Sequence, residues 1–228
     1  MKLSELIIRA KLTVPSLRDA GLDDTSLTTL LNEACDEANL IARTYKGYTD
    51  FNITADTFIY NLSSIAPTFL GSDKRGLWIQ DGDGTWQKII PKTAKWLDKK
   101  FENWRSASSA DIAQYYSIDV DELLIYPPID EARSSGGRLY HLKKATAMGN
   151  GDHFPYSGSA TELTALKPMD KAIISYIRYL LDPALGRKKD EISSYQVFLS
   201  ECKIAASQIK RRNDVTSDDN YRMDVSDG

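Results

Sequence analysis

The sequence predicts an α+β fold, in which a helical bundle body carries a β-rich insertion (a hairpin or small sheet) and ends in an extended C-terminal tail. Two changes in the spacing of apolar residues indicate this. Apolar residues recur every three or four positions in residues 27–45, as on a helix face, and they alternate with polar residues after Tyr48, as in half-buried strands. Helical spacing returns after Thr161. We therefore expect residues 1–46 and 160–212 to form the helical body, 47–159 the insertion, and 213–228 a flexible acidic tail.

Two helices are predicted in the N-terminal segment. Ser4 can cap a short first helix, and Pro15 ends it. The second helix is expected to begin near Asp24 or Ser26, which are both good N-cap residues. Gly47 is expected to end it, because glycine readily takes the left-handed conformation that follows a helix. The apolar stripe of this helix consists of Leu27, Leu30, Leu31, Ala34, Ala38, Ile41, Ala42 and Tyr45.

The insertion is predicted to contain hairpins. The run Asp-Gly-Asp-Gly that starts at Asp81 lies between two short apolar segments, and Asp-Gly pairs are strong hairpin signals. A short helix near residues 93–104 is expected to follow. Tyr115–Tyr126 is predicted to be a strand, with Gly137–Lys144 as its hairpin partner.

Two further helices are predicted near the C-terminus. Pro168 suits a first helical turn, the segment 182–186 breaks the helix, and a second helix starts near Asp190. Its last turn holds Lys210, Arg211 and Arg212, whose positive charges oppose the helix dipole. Beyond it, residues 213–228 contain five aspartates and one arginine, which leaves the rest of the chain close to neutral. Such a segment is expected to be disordered when alone.

Composition excludes several classes of protein. The 228 residues carry a net charge of −3, without the concentrated basic face typical of nucleic-acid-binding proteins. Cys35 and Cys202 are far apart in the chain, so neither a disulfide scaffold nor a thiolate zinc site is expected. No stretch approaches the roughly 20 apolar residues of a membrane span. Charges near the N-terminus also argue against a signal peptide, so we expect a soluble protein made in the cytoplasm.

No catalytic, cofactor or metal site is predicted. Glycine-rich nucleotide loops, HExxH and GxSxG are all absent from the sequence. Asp119, Asp121 and Glu122 could be proposed as glycosidase carboxylates, but their position fits a polar hairpin turn better. His141 and His153 are a weak metal signal. The four tryptophans are expected to pack in cores and interfaces: Trp78, Trp86, Trp96 and Trp104. A small basic face is expected to be solvated: Lys95, Lys99 and Lys100, with Arg105 nearby.

One stretch resembles a known family. Residues 116–128, followed by Arg138–Lys144, have the order strand, turn, strand, double proline and return strand. This pattern resembles the central hairpin of the head–tail adaptor (connector) proteins of tailed bacteriophages. The order of the flanking helices is similar to that family as well, and the tubular tail proteins of short-tailed phages are a subgroup that also fits.

The resemblance implies a structural protein rather than an enzyme. It implies a homo-oligomeric ring, usually of twelve subunits, that docks on the portal protein and receives tail or nozzle proteins. Genome DNA would pass through the ring without specific binding, at the head–tail junction of the virion, after assembly in the host cytoplasm and with no membrane partner. Portal contacts are then expected from Tyr221, Met223 and Val225 and from the adjoining Arg211 and Arg212. The alternatives are a phage wall-degrading hydrolase and a small DNA-binding regulatory module.

Overall fold

The protein has an α+β fold with two compact units. The structure, a computed structural model, describes residues 1–14, 17, 20–184 and 188–223, without the side chains of 182–192 and 213–223. The helical unit contains Met1–Tyr45 and the chain from Lys144 onward, and the β unit contains Lys46–Lys143. In chain order the elements are α1 (Leu3–Thr13), α2 (Asp24–Ala42), β1 (Lys46–Ile53), β2 (Ile59–Asn61), α3 (Leu62–Ile65), β3 (Phe69–Gln80), β4 (Trp86–Lys88), β5 (Ile90–Pro91), α4 (Ala94–Lys100), a 3₁₀ turn (Trp104–Ser106), β6 (Tyr115–Asp119), β7 (Glu122–Tyr126), β8 (Arg133–Lys143), a second 3₁₀ turn (Thr164–Met169), α5 (Asp170–Ala184) and α6 (Lys188–Met223).

Helix α1 begins one residue before the predicted cap. Its N-cap is Lys2, so the expectation that Ser4 caps it is wrong. The first backbone amides are satisfied by a distant loop instead, since Leu3 N donates to the His153 carbonyl (2.7 Å) and Ser4 N to the Gly151 carbonyl (3.0 Å). Pro15 lies outside the described residues.

Helix α2 begins where the sequence predicts and ends earlier. The Asp23 carboxylate accepts a hydrogen bond from Ser26 N (2.7 Å), which confirms a start at Asp24. The prediction that Gly47 ends the helix is wrong, because Arg43 takes the left-handed conformation and Gly47 lies in β1. The amide oxygen of Asn39 accepts the N–H groups that follow the helix end, and this side-chain cap replaces the expected glycine.

The second boundary of the insertion also differs from the predicted one. The insertion ends at Lys143, and the segment 144–159 belongs to the helical unit. Asn32 exchanges two hydrogen bonds with the backbone of Met148, and Asp36 accepts one from Ala145 N (2.7 Å). These polar contacts hold an irregular segment against α2, which an apolar pattern does not reveal.

The last helix is longer than predicted. Helix α6 continues from Lys188 to Met223, with neither glycine nor proline to interrupt it, so the first part of the expected tail is helical. Asp224–Gly228 lie outside the described residues, and the flexibility of residues 213–228 stays a prediction. The buried side chains of α6 that face α2 and α5 are Phe198, Cys202, Ala205 and Ile209.

The β unit is made of two four-stranded sheets. Their strand orders are β1-β8-β3-β4 in the first sheet and β2-β7-β6-β5 in the second. The hairpin at Asp81 is confirmed, since β3 pairs with β4 and the Asp81 carboxylate accepts from Asp83 N and Thr85 N. The short helix predicted at 93–104 ends at Lys100 and a 3₁₀ turn follows.

The predicted pairing of the second hairpin is wrong. Residues 115–126 form two strands, β6 and β7, which pair with each other across a tight turn at Val120. Strand β8, which contains most of the expected partner, pairs with β1 and β3 in the first sheet. A reason for this pairing is visible at Gly137, where the ring of Phe51 occupies the space that a side chain would need.

Apolar side chains of both sheets form the core of the β unit. Phe51, Leu77 and Leu139 come from the first sheet, and Leu123 and Ile125 come from the second. The other side of the second sheet is covered by α4 and the 3₁₀ turn, which bury Leu97, Trp104 and Leu124. Within the part of the chain that the structure describes, none of the helices combines the length and the apolarity needed to cross a membrane.

Candidate functional site

Four of the five residues expected to meet a portal protein belong to α6. Arg211 and Arg212 are exposed, and the Arg212 guanidinium lies 3.5 Å from the Thr164 carbonyl oxygen. The backbone of Tyr221 and Met223 belongs to the last turn of α6, but their side chains are outside the described parts, and so is all of Val225. The expected portal contact of these residues therefore stays a prediction.

The three candidate carboxylates lie in the turn between β6 and β7. Asp121 accepts hydrogen bonds from Ser63 N (3.0 Å) and from the Asn61 amide (3.3 Å), so it holds this turn to the start of α3. Asp119, Asp121 and Glu122 are all exposed. A glycosidase acid needs apolar surroundings, and these exposed turn residues do not have them.

The two histidines lie in different units. His141 is buried in the β unit, with its ring nitrogens 3.1 Å from the Thr49 hydroxyl and 2.9 Å from the Leu142 carbonyl oxygen. Burial lowers the pKa of His141, which keeps the ring neutral at pH 7. His153 belongs to the helical unit. Among the described residues, no group of three or more His, Cys, Asp and Glu side chains is placed to hold a metal ion.

Both cysteines are buried in the helical unit. Burial raises the pKa of the Cys35 thiol, and it raises the pKa of Cys202 to about 12. Each thiol is therefore protonated at neutral pH, and a protonated thiol is a poor nucleophile. Cys35 and Cys202 are therefore packed as core residues.

The first sheet presents aromatic and arginine side chains on the face turned away from the core. The Arg138 guanidinium lies between the rings of Tyr48 (4.5 Å) and Trp86 (4.7 Å). It also donates two hydrogen bonds, of 2.6 and 3.0 Å, to the Asp50 carboxylate, which raises the pKa of Arg138. On the same strand, Tyr140 lies 4.4 Å below the Arg75 guanidinium. We call these six side chains the Arg138 surface.

A buried carboxylate anchors one side of the Arg138 surface. Asp73 is 1% exposed, and it accepts a hydrogen bond from Arg75 Nε (2.7 Å) and lies 3.0 Å from Lys46 Nζ. Burial by itself raises the pKa of Asp73, but the hydrogen bonds from Arg75 and the positive charge of Lys46 outweigh it and hold that pKa below the ordinary aspartate value. The charges are thus held in place rather than free to move.

Replacing Asp73 by asparagine is expected to cost the protein about 2 kcal/mol of stability at pH 7, because hydrogen bonds to a charged group are lost. Since the folded-state pKa of Asp73 is lowered, its contribution is present above the unfolded pKa and is lost as the pH falls through the folded one. The free energy of unfolding, measured in urea, should therefore differ less between the parent and Asp73→Asn below about pH 4 than at pH 7. Asp83→Asn is the control, because Asp83 is an exposed aspartate in a turn. An equal loss of stability in both variants would contradict a stabilising role for the contacts of Asp73.

The Arg138 surface is not evident from the sequence. Its members come from β1, β3, β4 and β8, and their side chains meet only because of the strand order of the first sheet. The alternation of Lys46, Tyr48 and Asp50 shows that they share a face. Nothing in the sequence shows that Arg138 lies opposite Asp50.

The helical unit has a groove between α1 and α2. Residues 148–151 also line it, and it has a volume of about 710 Å³. Ile7 and Ile8 form one wall, and Thr25, Thr28 and Thr29 form the other. The ion pair between Lys11 and Asp24 lies at its rim.

The sequence has no match in two comparisons with known proteins. No family model matches the sequence, and no curated protein matches it.

Proposed function

We propose that the protein is a structural head–tail adaptor of a tailed bacteriophage, which forms a ring on the portal protein, extends the DNA channel and receives tail or nozzle proteins. The observation that carries the proposal is the chain order: a β unit of residues 46–143 is inserted between the helices of one helical unit. It contains the strand–turn–strand hairpin β6–β7, which is one part of the pattern on which the resemblance rests, while the return strand β8 pairs in the other sheet. The number of subunits and the virion location are parts of the same proposal.

The low net charge of the chain is compatible with a passive channel. A protein through which DNA slides should not bind phosphates strongly, because each phosphate contact adds affinity. The chain has 29 basic and 32 acidic residues, which gives a net charge of −3. A DNA-binding regulator would need a basic face, and a wall-degrading hydrolase would need carboxylates in apolar surroundings. The turn carboxylates do not have such surroundings.

The Arg138 surface suits the β unit for contacts with protein. Tyrosine, tryptophan and arginine are the residue types that contribute most to protein interfaces. Here their side chains are held in place by stacking and by Asp50, so little side-chain entropy would be lost on binding.

The test is to mix the purified protein with portal complexes of the same virus. We expect rings on the portal with a fixed number of copies, measured by native mass spectrometry and seen by electron microscopy. A capsid without portal is the control and should bind none. If only free monomers are found with the portal present at micromolar concentration, the adaptor proposal is wrong.

A further inference from the structure

The strands of the first sheet are rich in positive charge. The four strands contain seven basic and two acidic residues, a net charge of +5. The turn that joins β3 to β4 adds Asp81 and Asp83, which leaves +3. The whole β unit, by contrast, has 12 basic and 13 acidic residues, a net charge of −1. The first sheet is therefore much more positive than the unit that contains it.

Much of this charge lies on the side of the sheet that holds the Arg138 surface. The strand register places Trp78 opposite both Arg138 and Lys88, and residues that lie opposite each other project to the same side of a sheet. Lys88 is exposed, and its Nζ lies 3.3 Å from the carbonyl oxygen of Lys74, which is exposed as well. We call the Arg138 surface together with Lys46, Lys74 and Lys88 the cationic surface.

The cationic surface has more positive charge than its own carboxylates neutralise. Its five basic side chains lie beside two carboxylates. Asp50 accepts both hydrogen bonds from Arg138, and Asp73 is shared by Arg75 and Lys46. The two remaining lysines are exposed. Three positive charges are therefore left over, and an acidic partner is complementary to this surface.

The rings of the cationic surface favour an acidic peptide over single-stranded DNA. Bases bind to such surfaces by stacking on aromatic side chains. Here the Arg138 guanidinium already lies between Tyr48 and Trp86, and the Arg75 guanidinium lies over Tyr140. Carboxylates do not need the rings, because they accept hydrogen bonds from arginine and lysine side chains.

Residues 213–228 of the chain form an acidic peptide of this kind. They contain five aspartates and one arginine, a net charge of −4. Among the α6 side chains that the structure describes, the last buried one is Ile209, and the α6 backbone continues 14 residues further, to Met223. At 1.5 Å per residue, this part of the helix is about 21 Å long. The acidic segment therefore begins near the end of the described core of the helical unit and extends beyond it.

Other acidic stretches of the chain use carboxylates within their own unit. On α2, the side chains of Asp24, Glu33 and Asp36 each have a partner in the helical unit. In the β6–β7 turn, Asp121 accepts hydrogen bonds from the residues at the start of α3. A contact of these carboxylates with the cationic surface would have to replace one that already exists.

We propose that residues 213–228 of one copy bind to the cationic surface of a second copy, where the aspartates accept hydrogen bonds from its lysine and arginine side chains. The inference goes beyond the proposed function, because the contact joins two copies without a portal. Each copy offers one acidic segment and one cationic surface, so the contact is head-to-tail and repeats from copy to copy. The portal contact predicted for Tyr221 and Met223 uses other residues of the segment, so substitution of the aspartates tests this contact separately.

A fluorescent synthetic peptide of residues 213–228 tests the recognition. The receptor is the full-length protein with the five aspartates of its own segment changed to asparagine, so that this segment does not compete. The five positions are Asp214, Asp218, Asp219, Asp224 and Asp227. We expect saturable binding by fluorescence anisotropy, and about tenfold weaker binding when the receptor also carries Lys74→Gln and Lys88→Gln, since two attracting charges are removed. Both lysines are exposed, so the melting temperature should stay close to the parent's.

A second pair of lysines is the matched control. Lys99→Gln with Lys100→Gln removes the same charge from α4 of the same unit, again at exposed residues, and should leave peptide binding unchanged. Equal weakening by both pairs would overturn the proposal, because the attraction would then come from net charge alone. Absence of peptide binding would overturn it as well, and so would a single-stranded oligonucleotide that binds the receptor where the peptide does not.

Cross-linking of the unaltered full-length protein tests whether the contact joins two copies. Unlabelled and isotope-labelled protein are mixed, and a carbodiimide couples carboxylates to the lysine amines that they touch. We expect cross-linked peptides of mixed isotope composition that join residues 213–228 to Lys74 or Lys88. Links found only within one isotopic form would assign the contact to a single chain and overturn the proposal, as would the absence of links. No portal is present in either measurement, so the adaptor function is decided by its own test.

Discussion

Replacing Leu31 by aspartate is expected to unfold the helical unit. Leu31 is fully buried in the stripe of α2, against α5 and α6. A carboxylate there would lose its hydration without gaining a partner, and the expected cost of more than about 5 kcal/mol is comparable to the whole stability of a typical domain. Circular dichroism at 222 nm should show loss of helix and of a cooperative melting transition.

Leu40→Asp is the matched control for this substitution. It places the same charge on the same helix, at a residue that is 38% exposed. We expect it to melt within a few degrees of the parent. If Leu31→Asp melts like Leu40→Asp, the buried stripe of α2 is assigned to the wrong residues.

Replacing Gly137 by valine is expected to destabilise the β unit by about 3 kcal/mol, which is at the upper end for overpacking a core. A Cβ atom at Gly137 would lie 2.4, 2.5 and 2.7 Å from three atoms of the Phe51 ring. The ring is buried between the sheets and cannot move without displacing Tyr60, which lies 5.6 Å from it by ring centroids. Chemical unfolding of parent and variant measures the loss.

A double substitution distinguishes overpacking from a change in backbone preference. Phe51→Ala removes the clashing ring, so Gly137→Val should cost much less in that background than in the parent. Gly149→Ala, at a glycine with no atom within 4 Å of the added Cβ, should be close to neutral. Equal costs of Gly137→Val in both backgrounds would show that the ring is not the obstacle.

The sequence by itself determines the local elements of this protein. The apolar stripe and the polar cap at Asp23 determine the position of α2, because both act within a few residues. The Asp-Gly run at Asp81 determines the β3–β4 hairpin for the same reason. The α+β class follows from the change in apolar spacing at Tyr48 and its return after Thr161.

The tertiary structure alone decides which distant segments meet. Three contacts join residues that are 80 or more positions apart: the pairing of β8 with β1, the attachment of residues 144–159 to α2, and the stacking of Arg138 on Tyr48. A hairpin between Tyr115–Tyr126 and Gly137–Lys144 satisfied the local pattern equally well, and it was wrong. Strand patterns show which face a side chain occupies but not which strand lies beside it. The partner is chosen by packing, here by the ring of Phe51 over Gly137, and packing exists only when the chain has folded.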